Sequence, residues 1–151
     1  MKKVKGIIFD MDGLLFDTES IYCEANLVVA EKYGLPFTKE IYARFIGISD
    51  EEVWAELHKM YADHGEETVQ KFIDESWGMA HDRFKTGEVD LKPGVHELLA
   101  YLEEKEIPRV VASSNVRPII EIVLEHAGIR DKFSDIISAE DVKFAKPDPE
   151  I

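Results

Sequence analysis

Two rhythms of apolar positions divide this sequence. Val4 to Phe9 form a short apolar run closed by polar residues, the pattern of a buried strand. From Thr18 to about Thr86 the recurrence is helical throughout. "ESIYCEANLVVAEKYG" carries Ile21, Ala25, Val28 and Val29 at helical spacing and stops at Gly34. "SDEEVWAELHKMY" opens with a capping-box arrangement, Ser49 with Glu52 three residues on. "ETVQKFIDESWGMAHDRF" predicts a further helix despite Gly78 inside it, and Trp54 and Trp77 are expected in the core of this helical stretch.

"GEVDLKPG", residues 87 to 94, is dense in turn formers and charge and marks a boundary. Beyond it the rhythm alternates. "PGVHELLAYLEEKEI" predicts an amphipathic helix, "RVVA" a β-branched strand, and "NVRPIIEIVLEHAG" a helix with Asn115 as N-cap and Pro118 in its first turn. "FSDIISAED" holds another short strand. The fold class this predicts is α/β: a doubly wound parallel sheet with a helical insertion after the first strand. The expected division is residues 1–14 and 88–151 for the sheet core and 15–87 for the helices. Such a sheet usually has about five strands. The pattern supplies three and ends at "KPDPEI" without the helix that should follow, so the C-terminal part of the core is expected to be missing.

Composition changes this picture only by exclusion. With 151 residues, 45% hydrophobic and 32% charged, the chain can bury a core. A formal net charge of −13 argues against nucleic acid or an anionic membrane as partner, since both select clustered Lys and Arg. It leaves an anionic small substrate open, because one local cation and a few backbone donors can invert the field in a cleft. Cys23 is the single cysteine, so no intrachain disulfide forms, and no apolar window is long enough for a signal peptide or a membrane span. The expected location is cytoplasmic.

The chemistry concentrates where strands end. Asp10, Asp12 and Asp17 fall within eight residues, directly after the apolar run Ile7–Phe9. Carboxylates that close repel one another unless a cation or a shared proton relieves them. Ligands of an open α/β sheet bind beyond the carboxyl ends of its strands. "DMDG", "SSN" and "KPD" follow the three predicted strands in turn. Asp10 and Asp12 supply one carboxylate able to attack and one able to move protons. Ser113 offers a hydroxyl at a helix N-terminus, with Ser114 competing for that role, and Lys146 offers a point charge that suits a phosphate. Together these are the parts of a phosphoryl-transfer site.

The ordered set "FDMDGLLFDTE", "VVASSN" and "AKPDPEI" resembles the three leading motifs of the haloacid dehalogenase superfamily, in its β-phosphoglucomutase-like and sugar-phosphatase branch. The resemblance runs through essentially the whole chain, and the helical stretch looks like that family's small cap. It implies Asp10 as the nucleophile that forms an aspartyl-phosphate and Asp12 as the acid and base. It implies Mg2+ on the Asp10 carboxylate and the Asp12 backbone carbonyl, with Ser113 and Lys146 holding the phosphoryl group. The family's fourth, acidic motif would lie beyond Ile151, and Asp148 and Glu150 belong to the third motif's own turn.

Where the mutase keeps a His and an Arg, this chain carries Tyr22 and Asp50, which favours a phosphatase of a small phosphorylated metabolite over a phosphomutase. A rival of another class is a receiver-like or catalytically inactive phosphate-binding module, which turnover of a phosphate ester would separate from an enzyme. Asp17 and Thr18 either orient the site or cap the first helix. His58, His64, His81, His96 and His126 lack ligand spacing and are read as surface or packing residues.

Overall fold

The computed structural model describes residues 4–48, 50–144, 146 and 148–150. Ser49, the first residue of the expected capping box, lies outside them. The chain separates into two compact units, residues 1–18 with 83–151, and 19–82.

The first unit is built on three parallel strands, β1 (Ile7–Phe9), β2 (Arg109–Ala112) and β3 (Asp135–Ile137), in the order β1-β2-β3. Phe9 pairs with Val111, and Val111 with Ile136, so all three carboxyl ends fall at one edge. Helices α5 (Val95–Glu104) and α6 (Arg117–His126) bury Val95, Leu99 and Leu102, and Ile119, Ile120, Val123 and Leu124. Each such side chain contributes roughly 1.5–3 kcal/mol of transfer free energy. Phe9 and Phe133 meet edge to face with ring centroids 5.7 Å apart. β1 is shorter than the apolar run and is not buried throughout. It forms one border of the described sheet, and Ile8 is 70% exposed.

The second unit is helical and, among its described residues, holds no strand. Helix α1 (Thr18–Tyr33) leads into it, followed by the short α2 (Lys39–Ala43), then α3 (Asp50–Met60) and α4 (Glu66–Thr86), which continues through Gly78. Its core gathers Val29, Ala30, Leu35, Phe37, Leu57, Tyr61, Val69, Phe72 and Ile73. α2 has no strong sequence signal; it starts because the Thr38 hydroxyl accepts from the Ile41 N–H.

Residues 15–18 and 83–87 group with the sheet rather than with the helices. Backbone pairing explains the first of these segments: the Asp17 N–H donates to the Asp90 carbonyl at 2.8 Å, and the Lys92 N–H to the Leu15 carbonyl at 2.8 Å. For the second, Gly87 lies directly against His126 of α6.

Candidate active site

β1 delivers Asp10 and Asp12 into a tight loop at the carboxyl edge of the sheet. The Leu15 and Phe16 N–H groups both donate to the Met11 carbonyl, and Gly13 turns the chain at φ 73°, a conformation L side chains resist. The Gly13 N–H then reaches both the Phe16 carbonyl (3.0 Å) and the Thr18 hydroxyl (3.1 Å). Thr18 is buried, and its hydroxyl accepts that Gly13 N–H, so it is tied into the loop as well as starting α1. Asp17 pairs with Lys92, whose Nζ donates to its Oδ1 at 2.7 Å.

The parallel register puts Ser113, one residue past β2, beside that loop. Ser113 is fully buried and donates through Oγ to Asp12 Oδ2 at 3.1 Å, while its Oγ accepts from the Asn115 N–H at 3.0 Å. Ser114, the competing candidate, is exposed and takes part in none of the described hydrogen bonds. Lys146 crosses from the segment after β3, and its Nζ donates to Asp10 Oδ1 at 2.7 Å. Asp148 and Glu150 bind nearby backbone instead: Asp148 accepts from the Glu150 N–H, and Glu150 accepts from the N–H groups of Lys143 and Phe144.

Burial dominates the electrostatics of Asp12. It pushes the carboxyl above its ordinary range; the Ser113 hydrogen bond opposes the shift, the Asp10 charge adds to it, and Thr18 and Lys146 pull it back. One oxygen, Oδ1, is buried with no hydrogen-bond partner among the described residues. A carboxyl in this setting holds a proton more readily than a surface aspartate does, the property a proton donor needs.

With this geometry stands a match over residues 7–151 to the sequence profile of the haloacid dehalogenase-like hydrolases. The chain belongs to that family. It is 32% identical over 151 residues to the phosphorylated carbohydrates phosphatase of Thermotoga maritima, covering 98% of this chain and 67% of that protein. It is 26% identical to hexitol phosphatase B of Escherichia coli strain K12, covering 99% of this chain and 67% of that protein. A crystal structure from Thermotoga maritima, given the provisional name beta-phosphoglucomutase, superposes with a TM-score of 0.74. It is 31% identical and is covered over 97% of this chain and 67% of that one. The chain thus spans about two thirds of the length of these relatives.

The donor set of this haloacid dehalogenase-like site suits a hard cation. Asp10 offers carboxylate oxygen, and the Asp12 carbonyl accepts none of the described hydrogen bonds. Among the described residues no cluster of three or more His, Cys, Asp or Glu could hold a metal on its own. A Mg2+ ion would be held here by the Asp10 carboxylate and the Asp12 carbonyl.

Two sequence expectations are corrected. Asn115 is not the N-cap of α6. Val116 holds that position without a side-chain cap bond, Asn115 Oδ1 accepts from the adjacent Val116 N–H, and the Arg117 N–H is satisfied by Glu140 Oε2 at 2.9 Å. A helix start has several N–H groups to satisfy, and here a carboxylate brought by β3 takes one of them. Trp54 and Trp77 are not core residues of the helical unit either, being 39% and 46% exposed. They line a cavity of about 190 Å3 within that unit, together with Glu19, Tyr22, Tyr42 and Asp50. Lys92, Arg117, Glu140 and Asp141 had no sequence signal, because each acquires its partner only through pairing of distant segments.

Proposed function

We propose that this protein is a Mg2+-dependent phosphatase that hydrolyses a small phosphorylated metabolite, a sugar phosphate or similar, through an aspartyl-phosphate on Asp10. The observation that carries the reading is the convergence of Lys146 on Asp10 and Ser113 on Asp12, across 136 and 101 residues of chain. The names of the relatives, which are phosphatases of phosphorylated carbohydrates and hexitols, point the same way.

In the first step an Asp10 carboxylate oxygen attacks phosphorus, and the bond from phosphorus to the ester oxygen breaks. Asp12 gives its proton to that leaving oxygen, so an alcohol departs rather than an alkoxide. In the second step Asp12, now ionised, takes a proton from water as the water oxygen attacks phosphorus. The Asp10–phosphorus linkage breaks, inorganic phosphate leaves, and both carboxyl groups return to their starting states. Ser113 and Lys146 hold the phosphoryl oxygens, and Lys146 offsets charge that would otherwise repel the attacking carboxylate. Mg2+, held by the Asp10 carboxylate and the Asp12 carbonyl, would neutralise part of the phosphoryl charge.

Hydrolysis is favoured over phosphoryl transfer between two positions of a sugar bisphosphate. Tyr22 and Asp50 line the helical unit's cavity, and no Lys, Arg or His is among the described residues lining it. A second phosphate placed there would meet the carboxylates of Glu19 and Asp50 and no Lys or Arg among the lining residues. In this reading the helical unit is the family's cap and the sheet unit its catalytic core. The test is phosphate release from a panel of phosphorylated sugars and nucleotides by the full-length protein, with Mg2+ and with chelator. Mg2+-dependent release is the expected result; a folded protein that releases phosphate from none of them would overturn the reading.

A further inference from the structure

The carboxyl ends of β2 and β3 are tied together by side chains that touch neither catalytic aspartate. Arg117, the first residue of α6, donates through Nη2 to the Ile136 carbonyl (2.8 Å) and to Asp141 Oδ2 (2.7 Å). The same Asp141 oxygen accepts from the Ser138 N–H and from the Ser138 hydroxyl, each at 2.7 Å. Ser138 is fully buried, and these bonds with Arg117 hold the Asp141 carboxyl below its ordinary range. Beside them, the Arg117 N–H donates to Glu140, and the Ala139 N–H donates to the Asn115 carbonyl at 3.1 Å.

We infer that Arg117 and Asp141 are positioning residues for phosphate binding, coupling the loop that carries Ser113 to the turn that leads to Lys146. This rests on the phosphatase reading of the site. Ser113 lies four residues before Arg117, and Lys146 five residues after Asp141. The clamp therefore sits at the root of both loops whose tips reach Asp12 and Asp10. Its ion pair is partly exposed, with side chains 38% and 40% accessible, and such pairs add little to global stability. Its geometry is nonetheless specific, because one carboxylate oxygen collects three donors and one guanidinium nitrogen ties a strand carbonyl to that carboxylate. Displacing two phosphate-holding groups by a fraction of an ångström lowers affinity and rate without unfolding the sheet.

The experiment measures inorganic phosphate binding by calorimetry in the full-length protein, with Mg2+ present, beside thermal melting and steady-state kinetics. For Arg117→Gln and Asp141→Asn, phosphate affinity should weaken and KM should rise, each about tenfold, with melting nearly unchanged. Arg117→Lys should restore part of the loss, and the double variant should be little worse than either single one, since both remove the same tie. A purely structural role would lower the folded fraction and leave the affinity of the remaining molecules intact. That result, or wild-type affinity in well-folded variants, would overturn the inference. If Arg117→Gln fails to fold, the comparison of Asp141→Asn and Arg117→Lys with wild type decides. A wild-type protein that binds no phosphate would instead overturn the phosphatase reading itself.

Discussion

Lys146 Nζ stands 2.7 Å from Asp10 Oδ1, pairing the cation of the third motif with the carboxylate of the first. Both side chains are partly exposed, at 40% and 45%, so the pair contributes only about 0–1 kcal/mol to stability. In the proposed mechanism its value is chemical: the cation lies where phosphoryl charge would meet a carboxylate. Lys146→Ala should therefore leave the melting temperature nearly unchanged and lower kcat by about 10²–10³, the cost typical of removing one preorganised donor to a developing charge. Steady-state kinetics beside a thermal melt tests this, and wild-type turnover in the variant would refute it.

Asp10 and Asp12 should fail differently. Asp10→Asn keeps the shape but replaces the proposed nucleophile with a poor one, so turnover should vanish while the fold persists. Asp12→Asn removes the proposed proton carrier, and both half-reactions should slow by about 10²–10⁴. Mass spectrometry after rapid quench should find a phosphorylated chain in wild type and none in Asp10→Asn. Full activity in Asp10→Asn would sink the covalent route.

Tyr42 gives the helical unit a pH dependence. Its hydroxyl donates to Glu19 Oε2 at 2.7 Å, and burial, then that hydrogen bond, push its ionisation far above the ordinary value of 10.0. The folded state keeps a proton that the unfolded chain releases near that value. Stability is therefore full below about pH 10 and falls as pH rises further. Thermal melts between neutral and strongly alkaline pH should show this decline. Tyr42→Phe should make it shallower, and an equally steep decline in the variant would remove Tyr42 as a source.

Gly87 is fixed by a close approach as well as by its backbone. At φ 76° an added Cβ would lie 2.5 Å from His126 Cβ. Gly87→Ala should destabilise the sheet unit by about 1–3 kcal/mol, through strain and overpacking together. His126→Ala in the same chain should recover part of the loss, because it shortens the group that the new methyl meets. A denaturation midpoint unchanged by Gly87→Ala would contradict the packing shown.

Local periodicity and punctuation made most of the elements legible in the sequence. α1, α3 to α6, β2 and β3 lie where the apolar spacing puts them, because helix and strand periods are written in neighbouring residues. The family was legible too, since its motifs are short and follow the strands in order. Tertiary structure decided which atoms meet. Whether Ser113 or Ser114 reaches Asp12 depends on the register of β2 against β1, and a shift of one residue would turn the other serine inward. The Glu140 bond to the N-terminus of α6, the Arg117–Asp141 tie and the exposure of Trp54 and Trp77 likewise depend on segments far apart in sequence. Sequence by itself determined the elements and the chemical groups at their ends. Parallel pairing of three strands decided their partners, because a hydrogen bond's reach of about 3 Å is set by register and packing rather than by composition.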